Sequence, residues 1–498
     1  MRIGFINCNV IPLAERKRRF HGFMVDKGRI TSIDDFDRIM GKSEELINLQ
    51  GYTILPGFID SHTHLLGMGL DMGWVDLSSA NTYTEAKYYL EKAVKNTPED
   101  EWIIGTRYDD TKWKKEGAPN KEDLDEISNE HNILIKRICG HIAVVNSKAL
   151  EKIDHTMDYV DTEMGVLKEE VLWTLDETIG INKKEKEEAI KRAIKAAHSM
   201  GVTCVHDIMD REAWELYQSI DEKNELNIRV RGYMMHDESQ GLGPVEKSEY
   251  LALRGVKIFV DGSLGGRTAA LEEDYEDDPG NRGVLLLEQN EIEDIIIDAE
   301  KRNFQLMAHA IGDRAISNLL SAYESISDRA KELRHRIEHA EMLSADKIRR
   351  IRDMGLVLSA QPNFVYLWSQ KEGMNFRRLG EERVKKCDPF WDIQRSLVKM
   401  AFGSDCMPMS PIFGVFSAVN HPVLEQRISA YNALQSYIKN SAYAGKDEEH
   451  IGSLEKGKKA DFVVLSEDPL ESNDLRNIEV IMTVVNGDIV YDVREKKD

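Results

Sequence analysis

The sequence predicts an α/β protein built on a (β/α)8 barrel, and three observations predict it. Through the middle of the chain, short apolar runs that each end in a polar residue alternate with amphipathic helical stretches. Alternating β and α segments read as a parallel sheet flanked by helices. The runs end in residues such as His62 and His64, His206 and Asp207, Asp261, His309, His339, Gln361 and Asp405. Strand ends built only for stability would be apolar, whereas a barrel gathers its site at the C-terminal strand ends. The length, 498 residues, accommodates one large barrel with a smaller companion.

The elements follow in order. Residues 20–25, the Asp26-Lys27-Gly28 turn and residues 29–33 predict a hairpin near the N-terminus. The eight runs are residues 54–60, 202–207, 228–233, 256–261, 304–309, 336–339, 356–361 and 398–405. Helices are expected over 184–200, closed by Gly201 as its C′ residue, and over 291–302, 312–327 and 344–354. Asp313 is read as the cap of the helix after His309. Between the first two runs lies a long insertion, residues 68–190, with Trp74, Trp102, Trp113 and Trp173. Within it, residues 140–150 and 165–169 read as ordered elements. Insertions of this kind commonly cover an active site. At the other end, residues 480–485, Asn486-Gly487 and residues 488–491 predict a second hairpin, with the Asn-Gly signal of a type I′ turn. Residues 452–466 read as the strand entering that part.

Neither terminal piece is large enough to fold alone. The expected organisation is therefore a small composite β-domain formed by both termini, residues 1–53 and 450–498, and a barrel over 54–449 carrying the insertion.

Composition narrows the partners. With 66 Lys and Arg against 88 Asp and Glu, the net charge of −22 argues against nucleic acid or an anionic membrane. The five cysteines, Cys8, Cys139, Cys204, Cys387 and Cys406, form no C-x-x-C pair and read as unbridged thiols of a reducing cytoplasm. No apolar stretch approaches the ~18 residues of a membrane span, and the N-terminus lacks the pattern of a signal peptide. The expectation is a cytoplasmic, acidic protein that acts on a small molecule.

The motif Gly57-Phe-Ile-Asp-Ser-His62-Thr-His64 is the sharpest chemical signal. Residues i and i+2 of a strand share a face, so both imidazoles can address one metal; the alternative is two surface histidines in a turn. Lys257, in the middle of the fourth run, is costly in a buried strand unless paired or modified. One reading is a lysine at the barrel bottom or in a salt bridge. The other is a carbamate formed with carbon dioxide, an anion able to bridge two metals about 3.5–4 Å apart. His309 and His339 end successive runs, where each alone is equally a packed core histidine. Asp405 reads either as an N-cap for the following helix or as a metal ligand and proton shuttle.

His62, His64, Lys257, His309, His339 and Asp405, in this order, resemble the metal-ligand pattern of the amidohydrolase superfamily in its binuclear form. The segments Pro56-Gly-Phe-Ile-Asp-Ser-His-Thr-His64, Val256-Lys-Ile-Phe-Val-Asp-Gly-Ser-Leu-Gly-Gly-Arg-Thr-Ala269 and Gly452-Ser-Leu-Glu-Lys-Gly-Lys-Lys-Ala-Asp461 are similar to its amidohydrolase 3 branch, which includes N-substituted formamide deformylase-like proteins. The likeness runs over nearly the full length, including His141-Ile-Ala-Val-Val-Asn-Ser-Lys-Ala-Leu150.

The resemblance implies a TIM-type barrel and two divalent metal ions, with zinc expected and manganese, iron, cobalt or nickel also compatible with the donors. His62, His64 and Asp405 would hold one metal and His309 and His339 the other, bridged by carboxylated Lys257 and a hydroxide that attacks the carbonyl carbon. Asp405 would be the catalytic residue. The implied reaction is cleavage of a non-peptide C–N bond in an amide, formamide or cyclic amide. Two alternatives stand beside it: a mononuclear aminohydrolase of the same superfamily, and a non-catalytic scaffold. His141, Arg267, His206 and Gln361 are candidate substrate-binding residues. Arg267 reads equally as one half of a structural ion pair, and His141 as a packed residue of the insertion. Relatives are often dimers, so a homodimer is expected.

Overall fold

The computed structural model describes residues 2–496 except 15–19, 35–38, 114–116, 139, 141, 158, 169–170, 173–174 and 328. The chain forms two compact units, Met1–His64 with Ile194–Asp498, and Leu65–Ala193.

The first unit holds the barrel. Its strands, in chain order, are β1 (Phe58–Thr63), β2 (Val202–Met209), β3 (Arg229–Met235), β4 (Leu251–Phe259), β5 (Gln305–Ala310), β6 (Arg336–His339), β7 (Val357–Ala360) and β8 (Lys399–Phe402). Each pairs in parallel with the next, so sequence order is also spatial order. The barrel is nearly closed between β8 and β1, where the Asp405 amide donates to the His62 carbonyl (2.9 Å) and the Ser404 amide to Asp60 Oδ1 (2.8 Å). The strands are buried almost throughout, as parallel strands covered on both faces must be. Helices return the chain between them as the pattern predicts: Gln289–Lys301, Asp313–Ile326 and Ala345–Met354. The helix Lys183–Ser199 is followed by Gly201 at φ 79°.

Two local expectations need correction. The first run, residues 54–60, is not one barrel strand. It breaks at Gly57 into Thr53–Pro56, which belongs to another sheet, and β1. A Cβ at Gly57 would lie 2.2 Å from Thr203 Oγ1, so the switch between sheets needs glycine. Asp313 is not the helix cap: Gly312 occupies that position, and Asp313 sits in the first turn, accepting the Glu272 amide (2.8 Å).

Strands from both chain ends meet in one sheet. Its order is Asp488–Asp492, Val480–Val485, Phe462–Leu465, Thr53–Pro56, Arg2–Val10, Phe20–Asp26 and Arg29–Asp34, with Glu45–Asn48 also paired to Arg2–Val10. Phe5, Phe23 and Phe462 pack there with ring centroids 4.8–5.0 Å apart. Both predicted hairpins form, and Asn486 and Gly487 both take positive φ (53° and 89°), as a type I′ turn requires.

The second unit has its own six-stranded sheet, ordered Val160–Asp161, Val166–Lys168, Ile142–Val145, Asn132–Arg137, Trp102–Tyr108 and Val75–Asp76. One core packs the helix Tyr83–Val94 with Trp113, whose indole donates to the Ala80 carbonyl (3.1 Å).

Candidate metal centre

The site is built from the C-terminal ends of the barrel strands. His62 is the penultimate residue of β1 and fully buried. Its Nδ1–H donates to Glu338 Oε2 at 2.5 Å. Burial alone would raise the Glu338 pKa, but the Arg336 charge and the His62 bond outweigh it and hold it at about 2. An ionised carboxylate can only accept, so the proton sits on Nδ1 and Nε2 keeps its lone pair. A carboxylate behind a histidine in this way orients the ring for a metal and raises its basicity. Burial, with the Lys257 charge, lowers the His62 pKa and keeps the ring neutral.

His64 follows the end of β1, with its side chain partly exposed. His62 and His64 Nε2 lie 3.8 and 3.3 Å from the same oxygen, Asp405 Oδ1. Asp405 stands three residues beyond β8 in a left-handed conformation (φ 52°). It is not a helix cap, since Ser410 caps the following helix, Pro411–Val419. Burial would raise its pKa; the hydrogen bond from His64 and the charges of His62, His64 and Lys257 hold it at about 2.

His339 ends β6 with φ 65°, and Ala340 follows at 52°. Non-glycine residues rarely take this conformation, which costs of order 1–3 kcal/mol and recurs at functional sites. Successive strand residues face opposite ways. The left-handed turn is what allows both Glu338 and His339 to meet His62, whose ring centroid lies 4.8 Å from that of His339. His339 Nδ1 is buried without a hydrogen-bond partner among the described residues, and burial, with the neighbouring histidines and Lys257, holds its pKa well below the usual value. On its other side stands His309, at 4.4 Å between centroids, with Nε2 donating to the Gly262 carbonyl (3.1 Å).

Lys257 lies on β4, fully buried, with no hydrogen-bond partner for its amine among the described residues. The amine stands over the ring of Phe259, 4.7 Å from its centroid. Burial pulls its pKa down to about 8 against the opposing pull of Glu338 and Asp405.

These residues fit a divalent cation. One ligand atom each from His62, His339 and Asp405 converge within 4.8 Å of one another. That triad draws on both of the ligand sets implied by the family resemblance. The donors are imidazole and carboxylate, and the partnerless His339 Nδ1 is the kind of buried atom a ligated metal satisfies.

Among the described residues, the other candidates have partners of their own. His206 is buried, its Nδ1 accepting from Arg336 (2.9 Å) and its ring packed against Gly445. Gln361 is buried at the start of the helix Pro362–Trp368, and its amide donates to the Ser359 carbonyl (3.3 Å). Arg267 forms a bidentate pair with Asp277, both bonds 3.1 Å. His141 lies outside the described residues.

Sequence reasoning missed the group behind the ligands. Arg336 is fully buried and binds both Glu338 oxygens (2.8 and 3.0 Å), the Ser61 carbonyl (2.6 Å) and His206. The alternation Arg336-Ile337-Glu338, which puts two opposite charges on one face of a buried four-residue strand, was the available signal. Asp261, one of the polar strand ends legible in the sequence, has a role that was not: it accepts the amides of Ala270 (2.9 Å), Ile311 (3.0 Å) and Gly312 (2.8 Å), and burial pushes its pKa up to about 7.

A barrel whose C-terminal rim gathers histidines and a carboxylate defines a class, and comparison with known proteins agrees. The chain belongs to the amidohydrolase family, in the amidohydrolase 3 branch, whose profile matches residues 45–491. It is 30% identical to the protein LONG AFTER FAR-RED 3 of Arabidopsis thaliana, over 98% of this chain and 90% of that one. It is 26% identical to the N-substituted formamide deformylase of Arthrobacter pascens, over 98% of each. An uncharacterized metal-dependent hydrolase from Pyrococcus furiosus superposes with a TM-score of 0.80 at 28% identity, covering 95% of this chain and 100% of that one. Family and neighbours together support a hydrolase with a metal cofactor.

Proposed function

We propose that the protein hydrolyses a non-peptide C–N bond, in an amide, formamide or cyclic amide, at a binuclear metal centre. The observation that carries this reading is Lys257. An ammonium on a barrel strand, buried, without a hydrogen bond among the described residues and close to the candidate ligand histidines, is costly to keep. A pKa near 8 leaves some of it as free amine at neutral pH. The amine nitrogen bonds to the carbon of carbon dioxide and releases a proton, which replaces a cation by a carboxylate able to bridge. His62, His64 and Asp405 would hold one metal, His309 and His339 the other, with zinc the expected ion and manganese, iron, cobalt or nickel suited to the same donors.

A bound divalent metal acidifies water towards neutrality and polarises a substrate carbonyl. Glu338 fixes the His62 ring for that task. Asp405, ionised down to about pH 2, takes a proton at its carboxylate and returns it to the departing nitrogen. The formamide deformylase among the relatives favours an amide-type substrate. The convergence of three ligands alone among the described residues, His62, His339 and Asp405, favours a mononuclear aminohydrolase as the second reading.

Elemental analysis of protein purified without chelator and with bicarbonate decides between them. About two metal equivalents per chain, falling in Lys257→Gln, is the expected result. A single equivalent indifferent to Lys257 selects the mononuclear reading. No metal, and no uptake of added zinc or manganese, overturns both.

Among the described residues no helix is long and apolar enough to cross a membrane, and Cys8, Cys204, Cys387 and Cys406 are unbridged. We place the enzyme in the cytoplasm, acting on a small molecule. The homodimer expected from its relatives is tested by size-exclusion chromatography.

A further inference from the structure

We propose that the N-terminal end of the barrel carries a second site, a cavity of about 500 Å³ that binds a small dianion of the phosphate type. Arg229 and Arg231 stand at the start of β3 and Arg254 in the first half of β4, at the end of the strands opposite to His309 and His339. With Arg29, Lys446 and Lys459 they give the cavity six cations, against three acids, Glu246, Glu249 and Asp447. This surplus lies in a chain whose net charge is −22.

Pairing shows which charges are left over. Arg229 is taken by Asp461, behind the wall, through two bonds of 2.5 and 2.9 Å. Arg231 binds Asp447 at 2.5 and 3.2 Å. Arg254 spans Glu246 and Asp447, and Lys459 pairs with Glu249. Arg29 and Lys446 remain. Arg29 donates to a neutral acceptor, the Gly457 carbonyl, at 2.8 Å. The Lys446 amine has neither a hydrogen-bond nor an ion-pair partner among the described residues, although the residue is half-buried. Burial first, then the like charges of Arg334 and Arg254, push its pKa down.

Two unpaired cations lining one cavity are unfavourable when left alone. A doubly charged tetrahedral anion answers both: its charge offsets the surplus, and its oxygens match the Arg29 guanidinium fork. A monovalent anion would leave one cation uncompensated. The inference is independent of the reaction at the metal centre.

The test is calorimetric titration of the metal-loaded protein with inorganic phosphate, against chloride at matched ionic strength. A parallel arm uses glycerol 3-phosphate, which separates free phosphate from a phosphate monoester as the occupant. Saturable binding is expected, weakened about tenfold or more, ~1.4 kcal/mol, in the double variant Arg29→Gln, Lys446→Gln. Lys257→Gln should bind phosphate like the wild type, which separates this site from anion binding at the metals. Without phosphate, Lys446→Gln should melt no lower than the wild type, because it removes an unpaired charge. Phosphate binding unchanged in the double variant, lost in Lys257→Gln, or no stronger than that of chloride would overturn the proposal, as would a lower melting temperature of Lys446→Gln.

Discussion

At the residue scale, the site depends on a charge hidden one layer behind the metal ligands. Glu338 bonds His62 on one side and is held by Arg336 on the other, all three fully buried. Glu338→Gln keeps the shape but removes the charge that orients and polarises the imidazole. Metal affinity, measured by chelator competition, should fall about 10–100-fold. The same change strands the Arg336 guanidinium, and losing one partner of a buried pair costs about 3–5 kcal/mol. Stability from chemical denaturation should therefore fall along with affinity. Wild-type affinity in this variant would contradict the role given to Glu338.

At the element scale, strand ends are brought together by glycines and by unusual backbone. Gly403 follows β8 where the barrel closes, and a Cβ there would lie 2.5 Å from the His62 nitrogen and 2.7 Å from its Cβ. These atoms cannot rotate away. Gly403→Ala should destabilise the fold by about 1–3 kcal/mol and displace His62, which a metal titration would read as weaker uptake. An alanine variant equal to wild type in both would show that β1 and β8 are not held this closely. Gly57 works by the same principle at the other end of β1, where the chain passes from one sheet to the next. Asp261 ties the end of β4 to the end of β5 through the amides of Ala270, Ile311 and Gly312, and so fixes the segment that carries His309.

At the scale of the whole molecule, stability carries a pH dependence from histidines far from the metal centre. His198, in the helix Lys183–Ser199, is buried, and burial lowers its pKa to about 4 from 6.5, against the opposing hydrogen bond to the Asn227 backbone. A depressed folded-state pKa means that the unfolded chain takes up this proton first. Stability is present above about pH 6.5 and lost as pH falls towards 4. His198→Gln has no such proton to bind. The stability difference between wild type and variant should shift by roughly 3 kcal/mol in favour of the variant between pH 7 and 4. A difference that stays flat across that range would contradict a buried neutral His198. The comparison has to be a difference, because Asp60 and Asp261, both pushed up to about 7 by burial, act in the opposite direction over much of the same range.

What the sequence determined by itself is what depends on local spacing. Alternating apolar runs and amphipathic stretches made the barrel legible, because buried parallel strands and their covering helices have different periods. Asn486-Gly487 and Asp26-Lys27-Gly28 marked their hairpins, because few residues adopt the turn conformations required. The two-residue spacing of His62 and His64 aimed both imidazoles at one place, and although His64 lies just past the end of β1, both Nε2 atoms approach the same Asp405 oxygen. The tertiary structure alone decided the rest. Arg336 and Glu338 are an ordinary charged pair in sequence and become the support of His62 only once β6 and β1 face each other. The left-handed turns at His339 and Asp405 leave no sequence signature, because neither residue is glycine and the surrounding barrel imposes them. The break at Gly57 is written in Thr203, nearly 150 residues away, since a glycine is obligatory only where another segment presses against it. Spacing along the chain selects which residues share a face; closure of the barrel selects which faces meet.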